Sequence, residues 1–484
     1  MESNLSSRGA RIAAYRGVHR TGFDMYIKDP FNKENNPQGI LNFGNSENKL
    51  CYDILEERIQ LEYCLSKASD SLAFRGVVAR GSSRGSPRDH GEEERMNSTG
   101  PAQATSKLSR AQANCLTPEL LQYSDLQGLR GFREETADFL TEYCRAPTPL
   151  NPEHIVVLNG CTSALAALTT VLMEPGDGYL IPSPYYGGIA TYTWLYGEVN
   201  PVPVPLDSKI SRGKGYPLML AVDKLEDAMS EATKKGIRVR GLILTNPHNP
   251  LGVVYPAEVL MDCLEFAHRY KLHVIVDEIY MLSVYDGKAF TSIHSFESLP
   301  DPERTHVLWG FSKDFALAGL RVGTVHTRNQ EVRRALIRLA SFHSCAGPTQ
   351  QLLTHLLQDR DWINTTFLPS NRRRLLESRA ILVKGLQDIG VSVLKSSAGF
   401  FVWADLRSFL KEQSFEAEMD LWWRLIHEKV FISPGQVFSS CEPGWFRVVF
   451  SDTVENIKIG VDRIKKALGA PAIIAEKYVH HHAS

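Results

Sequence analysis

Two periodicities divide the chain. The short apolar runs IVVL (155–158), GYLIP (178–182), GLILT (241–245), LHVIV (272–276) and HVLWG (306–310) are continuous rather than alternating. Such runs predict strands buried on both faces. Between them lie stretches with apolar residues at helical spacing, CTSALAALTTVLME (161–174) and PAEVLMDCLEFAHRY (256–270). Strands alternating with helices predict an α/β fold with a mostly parallel central sheet, placed in a large domain over 117–361. Past 362 the pattern changes. NRRRLLESRAILVKGL (371–386) reads as one long helix, and GFFVWADL (399–406) and WFRVVF (445–450) as fewer, more alternating strands. A smaller α+β domain over 362–468 is expected there.

Ahead of the large domain, YDILEERIQLEYCL (52–65) sets Ile54, Leu55, Ile59 and Leu61 on one broad helical face, within an ordered segment over 39–65 that follows an N-terminal arm (1–38). From 66 to 116 the chain is rich in Ser, Gly, Arg and Glu and nearly free of aromatics. It cannot bury enough apolar surface to offset its ordering entropy, so a disordered insertion is expected. Residues 469–484 read as a flexible tail, and its His480, His481 and His482 as solvated rather than metal-binding.

Composition narrows the function. A formal net charge of −1 over 484 residues gives no reason to expect a nucleic-acid or anionic-membrane partner. No apolar run approaches the roughly 20 residues that span a bilayer. The N-terminus lacks the apolar core of a secretory signal, although its basic, Ser-containing start leaves a mitochondrial leader as an alternative to a cytoplasmic protein. Eight cysteines are scattered singly with no C-x-x-C pair, which fits reduced thiols and no metal site.

In open α/β sheets ligands gather at the carboxyl ends of strands. Asn159-Gly160-Cys161-Thr162 follows the run at 155–158 and opens a helix, as an anion cradle or an ordinary helix cap. Asn246-Pro247-His248-Asn249-Pro250 follows GLILT, a rigid turn that can hold an amide in a crevice. Asp277-Glu278-Ile279-Tyr280 follows LHVIV; a carboxylate there needs a donor or cationic partner. Ser312-Lys313 and then Arg321 follow HVLWG; singly, they read as solvated cations. In order at successive strand ends, these residues are what holds pyridoxal 5'-phosphate: a lysine for the Schiff base, an acid on the ring nitrogen, clamps on the phosphate.

This ordered set resembles the fold-type I pyridoxal-phosphate enzymes of the class I aminotransferase family. The resemblance implies Lys313 as the Schiff-base lysine and then the base at the substrate Cα. It implies Asp277 as the acid on the ring nitrogen, and Tyr280 and Asn249 as donors to the ring oxygen. Arg321, with Gly160, Cys161, Thr162 and Ser312, would hold the phosphate. Tyr186 in PSPYYGG would stack on the ring, with Tyr185 as its rival. An α-amino acid substrate and a homodimer, with Tyr123 reaching a partner's cofactor, are implied as well.

Within that family GILNFGNSENKLCYDIL, IPSPYYGG, LTNPHNPLG, VDEIY, SKDFALAGLRVG, SAGFFVWADLR and SPGQVFSSCEPGWFRVVFSD are most similar to the 1-aminocyclopropane-1-carboxylate synthases and the synthase-like proteins of animals. By that likeness Arg447 binds the substrate carboxylate and Glu47 stands at the active site; helix-start capping is the plain alternative for Glu47. Two positions depart from the synthases: Leu126 stands where they carry Tyr, and Gly310 where they carry a phosphate-binding Ser. Two functions are therefore expected to compete. One is an enzyme that deprotonates an amino acid at Cα, as an aminotransferase or a synthase-like lyase or deaminase. The other is a cofactor-binding scaffold with weak or no catalysis.

Overall fold

The computed structural model describes residues 5–15, 17–59, 117–206, 218, 220–285, 287 and 289–469. The segment 66–116, the end of the helix beginning at Tyr52, Cys64, Cys115 and the tail with its histidines lie outside the described residues.

Five expected runs become strands of one seven-stranded sheet. In chain order its strands are β2 (Ile155–Leu158), β3 (Gly178–Ser183), β4 (Asn200–Pro205), β5 (Val239–Thr245), β6 (His273–Asp277), β7 (Thr305–Gly310) and β8 (Gly323–Thr327). Their spatial order is β2-β8-β7-β6-β5-β3-β4. All pairings are parallel except those of β8, which runs antiparallel to both neighbours. The central strands β3 and β7, and β2 at one edge, are buried at every position, as their unbroken apolar runs require. β4 is an edge strand carrying Pro201, Pro203 and Pro205; proline, which has no N–H, is tolerated there because one side of the strand has no ladder to complete.

β1 (Leu41–Asn42) pairs in parallel with β11 (Val430–Phe431), tying the N-terminal segment to the C-terminal part of the chain. There β9 (Ser392–Val393), β10 (Phe401–Asp405), β12 (Ser433–Pro434) and β13 (Trp445–Val449) form an antiparallel sheet in the order β12-β13-β10-β9. Helices Leu368–Asp388, Phe415–His427 and Val454–Gly469 pack on a core with Phe43, Leu382, Phe401, Trp422 and Phe446.

The arm adds two helices, Ser7–Ala14 and Val18–Lys28. Gly22 seats the second: a Cβ there would lie 2.5 Å from the Phe431 ring and 2.9 Å from Trp422. No side chain fits, so the helix rests backbone-first on β11, and this close approach turns its N-terminal end toward the ends of the large-sheet strands. Farther along the arm, Tyr15 hydroxyl lies 2.7 Å from Thr191 Oγ1 and Arg11 pairs with Glu198 at 2.8 Å.

Candidate active site

A cleft of about 840 Å³ opens where the carboxyl ends of β5, β6 and β7 meet the arm and the antiparallel sheet. Its walls include Glu47, Cys161, Thr162, Tyr186, Asn249, Asp277, Tyr280, Ser312, Lys313, Arg321 and Arg447. Eleven of the candidates thus come together from seven separate stretches of chain. Gly160 sits beside them under Arg321. Tyr123 is set apart, fully exposed and outside the cleft.

The electrostatics of the cleft are unusual for a protein interior. Arg447 on β13 is 1% exposed, yet no carboxylate pairs with it among the described residues. Its Nη1 donates to Asn249 Oδ1 at 3.0 Å and its Nη2 to Gly44 O, while its Nε is buried without a partner. Isolating a buried cation is costly. An orphaned donor on a buried guanidinium is an open place for an anion.

Lys313 follows β7 in the short helix Phe311–Asp314, and its Nζ donates to Ser46 O. Burial, then the nearby Arg447, lower its pKa to about 8. Asp277 ends β6, and the Ile279 N–H is its one hydrogen-bond donor among the described residues, at 3.2 Å. Burial pushes its carboxyl up to about 6. A cationic nitrogen placed against it would reverse that shift. Tyr280 hydroxyl lies 3.0 Å from Ser46 Oγ. Four cationic side chains, Arg20, Lys313, Arg321 and Arg447, therefore line the cleft against two carboxylates, Glu47 and Asp277, and of the four only Arg20 has a carboxylate of its own, Asp24, among the described residues. The cleft is short of negative charge.

At the start of helix Cys161–Leu172, Gly160 has φ +101°, and a Cβ there would fall 2.5 Å from Arg321 Nη2. Only glycine lets the guanidinium lie against the helix N-terminus, which makes one cradle from two anion-attracting elements. Arg321 Nη1 is braced by Ala318 O at 3.0 Å. Cys161 turns its thiol inward onto the paired glycines of β7 and β8: a Cβ on Gly310 would be 3.0 Å from its Sγ, and one on Gly323 3.1 Å.

These residues fit pyridoxal phosphate: a cationic cradle for the phosphate, a buried acid lacking a cation, and a buried amine. Of the two tyrosines weighed for ring stacking, Tyr186 lines the cleft, whereas Tyr185 is buried and its hydroxyl accepts from Ser439. Glu47 is no helix cap, since the next helix begins at Tyr52. Leu126 packs at the edge of the core with Val156 and Leu158.

The sequence did not single out His19, Asn45, Ser46, Tyr192 or Phe438, all of which line the cleft. Asn45 and Ser46 adjoin Glu47 in NFGNSEN, a signal that was within reach. His19 carries no local mark; only the fold of the arm brings it in.

The family described as "Aminotransferase class I and II" matches residues 97–464. Over 465 residues the chain is 43% identical to "1-aminocyclopropane-1-carboxylate synthase-like protein 1" of Takifugu rubripes, covering 96% of this chain and 67% of that one. It is 40% identical over 461 residues to the human "Probable inactive 1-aminocyclopropane-1-carboxylate synthase-like protein 2", covering 95% and 72%. The solved aspartate aminotransferase of Rhizobium meliloti superposes with a TM-score of 0.70 at 19% identity, over 96% of this chain and 99% of that one. That likeness shows the fold.

Proposed function

The chain belongs to the class I and II aminotransferase family, and from that premise we propose that it is a pyridoxal-phosphate enzyme that deprotonates an α-amino acid at Cα. The observation that carries this reading is Arg447, a buried guanidinium with an unpartnered Nε and, among the described residues, no carboxylate of its own, in the same cleft as Lys313. When bound, pyridoxal phosphate supplies an aldehyde for the amino group and a ring that accepts the electron pair left at Cα. The chain's own residues do the rest. Arg447 binds and orients the carboxylate, so that the Cα–H bond faces Lys313. Lys313 Nζ, whose pKa burial and then Arg447 lower to about 8, takes the Cα proton. Asp277 holds a proton on the ring nitrogen. Arg321 and the helix start at Gly160–Thr162 anchor the phosphate, with Tyr186 on the ring face and Tyr280 and Asn249 toward its oxygen. A homodimer in which Tyr123 serves the neighbouring cofactor completes the reading, and its full exposure supports this.

Whether the proton returns elsewhere, giving transamination, or a side-chain group leaves, giving a synthase-like lyase or deaminase, depends on the substrate side chain. A second reading, a cofactor-binding scaffold with little catalysis, draws on Gly310, which offers no hydroxyl to the phosphate, and on the printed name of the human relative at 40% identity. One experiment separates the two. The cofactor-loaded protein is incubated in deuterium oxide with pooled amino acids, with and without α-keto acids. Cα–H exchange or consumption of at least one amino acid, abolished in Lys313→Ala, is expected; no exchange with any amino acid overturns the enzyme reading.

A further inference from the structure

Of the titratable cleft residues contributed by the arm, Tyr15 is hydrogen-bonded to Thr191 Oγ1 at 2.7 Å and Arg20 is paired with Asp24 at 2.8 Å; the third, His19, is not used by the reaction above and is held by no ion pair among the described residues. Its surroundings are specific. His19 Nδ1 lies 3.3 Å from Ser433 Oγ, and Ser433 is the direct cross-strand partner of Arg447 in the β12–β13 ladder. Residues so paired stand side by side on one face of the sheet. Ser433 Oγ also lies 3.3 Å from Gly44 O, to which Arg447 Nη2 donates, so the imidazole, the hydroxyl and the guanidinium share one hydrogen-bonded cluster. The ring also packs on Phe431 at 5.5 Å, the side chain over which Gly22 seats the same helix. The arm thus delivers an imidazole to the flank of the carboxylate-binding arginine.

We propose that His19 is a positioning residue for the amino-acid substrate, giving its carboxylate end a second, uncharged contact beside Arg447. This rests on the reading that Arg447 takes the carboxylate. The ring stays neutral because burial, and then the neighbouring Arg447, push its pKa down to about 4. A neutral imidazole suits this place. It adds a donor without a second full charge to desolvate, and it adds no repulsion to Arg447. Ser433 has a single O–H; directed at Nδ1, it leaves Gly44 O to Arg447 Nη2 and fixes the tautomer protonated at Nε2, whose N–H is the donor offered to the substrate. Asn45, which also lines the cleft, makes a side-chain hydrogen bond to the ring.

The test uses full-length, cofactor-loaded protein and α-methyl amino acids, which lack the Cα–H bond and so bind without turnover. The probes are 2-methylalanine, α-methylaspartate and α-methylphenylalanine, with binding read from the visible absorbance and pyridoxal-phosphate affinity measured separately. His19→Phe keeps a ring on Phe431 and removes both nitrogens; His19→Asn restores an amide donor. The loss of one hydrogen bond to a charged group corresponds to about 10- to 100-fold. His19→Phe is expected to weaken probe binding by that factor with cofactor affinity within about threefold of wild type, and His19→Asn to recover most of the loss. If His19→Phe binds the probes as wild type does, the proposal is wrong while the amino-acid reading stands. If cofactor and probe affinity fall together, His19 acts only on the fold and the proposal is again overturned. If wild type binds none of the probes, the amino-acid reading itself fails and this proposal falls with it.

Discussion

Arg447 Nη1 donates to Asn249 Oδ1 at 3.0 Å, so the arginine of the antiparallel sheet is fixed to the asparagine that follows a strand of the large sheet. The contact orients the Asn249 amide: its oxygen is committed to Arg447, which leaves its NH2 for the ring oxygen that the proposed function assigns to it. In the proposed reading, one side chain thereby sets the carboxylate-binding arginine and the ring contact in register.

Replacing either partner should have a different signature. Arg447→Ala removes a charge-assisted, potentially bidentate carboxylate contact and is expected to raise the amino-acid KM about 100-fold or more, with pyridoxal-phosphate affinity nearly unchanged. Asn249→Ala should weaken both cofactor and substrate binding, because it takes away one ring contact and one brace on Arg447. Steady-state kinetics together with cofactor titration separate the two patterns. If cofactor binding collapses in Arg447→Ala, the assignment of that arginine is wrong.

Lys313 carries a pH prediction. Only its neutral amine can attack the cofactor aldehyde, and burial with Arg447 nearby brings its pKa down to about 8. Uptake of pyridoxal phosphate by the cofactor-free protein should therefore rise with pH through a midpoint near 8 rather than near the ordinary lysine value. Arg447→Ala removes one of the causes of the lowering, so its midpoint should move up. Stopped-flow absorbance across the alkaline range reads both midpoints; an unshifted midpoint in the variant would contradict the coupling.

The cradle should be sterically exacting. Gly160→Ala places a methyl 2.5 Å from Arg321 Nη2 at a φ of +101° and is expected to lower cofactor affinity at least tenfold. Gly310→Ser meets Val322 O at 2.7 Å and Cys161 Sγ at 3.0 Å, so adding the hydroxyl that the synthases carry should weaken binding. Cys161→Ala in the same chain opens room and should recover part of the loss. Equilibrium titration of the single and double variants yields the coupling; strict additivity would show that the thiol does not block the site.

Glu418 is fully buried and accepts from the N–H groups of Gln436 at 2.8 Å and Gly444 at 2.6 Å, bracing the loop between β12 and Arg447. Burial raises its pKa to about 7. A carboxyl with a raised folded-state pKa contributes its full stability below about 4.5 and loses it as pH climbs toward 7. The Tm advantage of wild type over Glu418→Gln should accordingly shrink between about pH 4.5 and pH 7. Calorimetry across that window checks the sign, and a widening gap would refute it.

The cofactor half of the cleft was legible in the sequence because each of its parts is a short motif after a continuous apolar strand: Asn249 after β5, Asp277 after β6, Lys313 after β7. Strand order does the assembling, and parallel strands bring those ends to one edge. What could not be read were contacts made by distant segments. Arg447 meets Asn249, Ser433 meets His19 and Ser46 meets Lys313 only after the arm and the antiparallel sheet have packed on the large sheet. The choice between Tyr185 and Tyr186 also lay beyond the sequence, since adjacent residues leave a turn in different directions. β4 was hidden by its alternating prolines, which argue against a strand anywhere but at an edge.

The most direct test of the central claim is where the cofactor becomes attached. Protein loaded with pyridoxal phosphate is reduced with borohydride, digested and sequenced by mass spectrometry, alongside Lys313→Ala. The account predicts one phosphopyridoxyl group on the peptide containing Lys313 and none in the variant. Labelling at another lysine, or equal labelling of the variant, would contradict it.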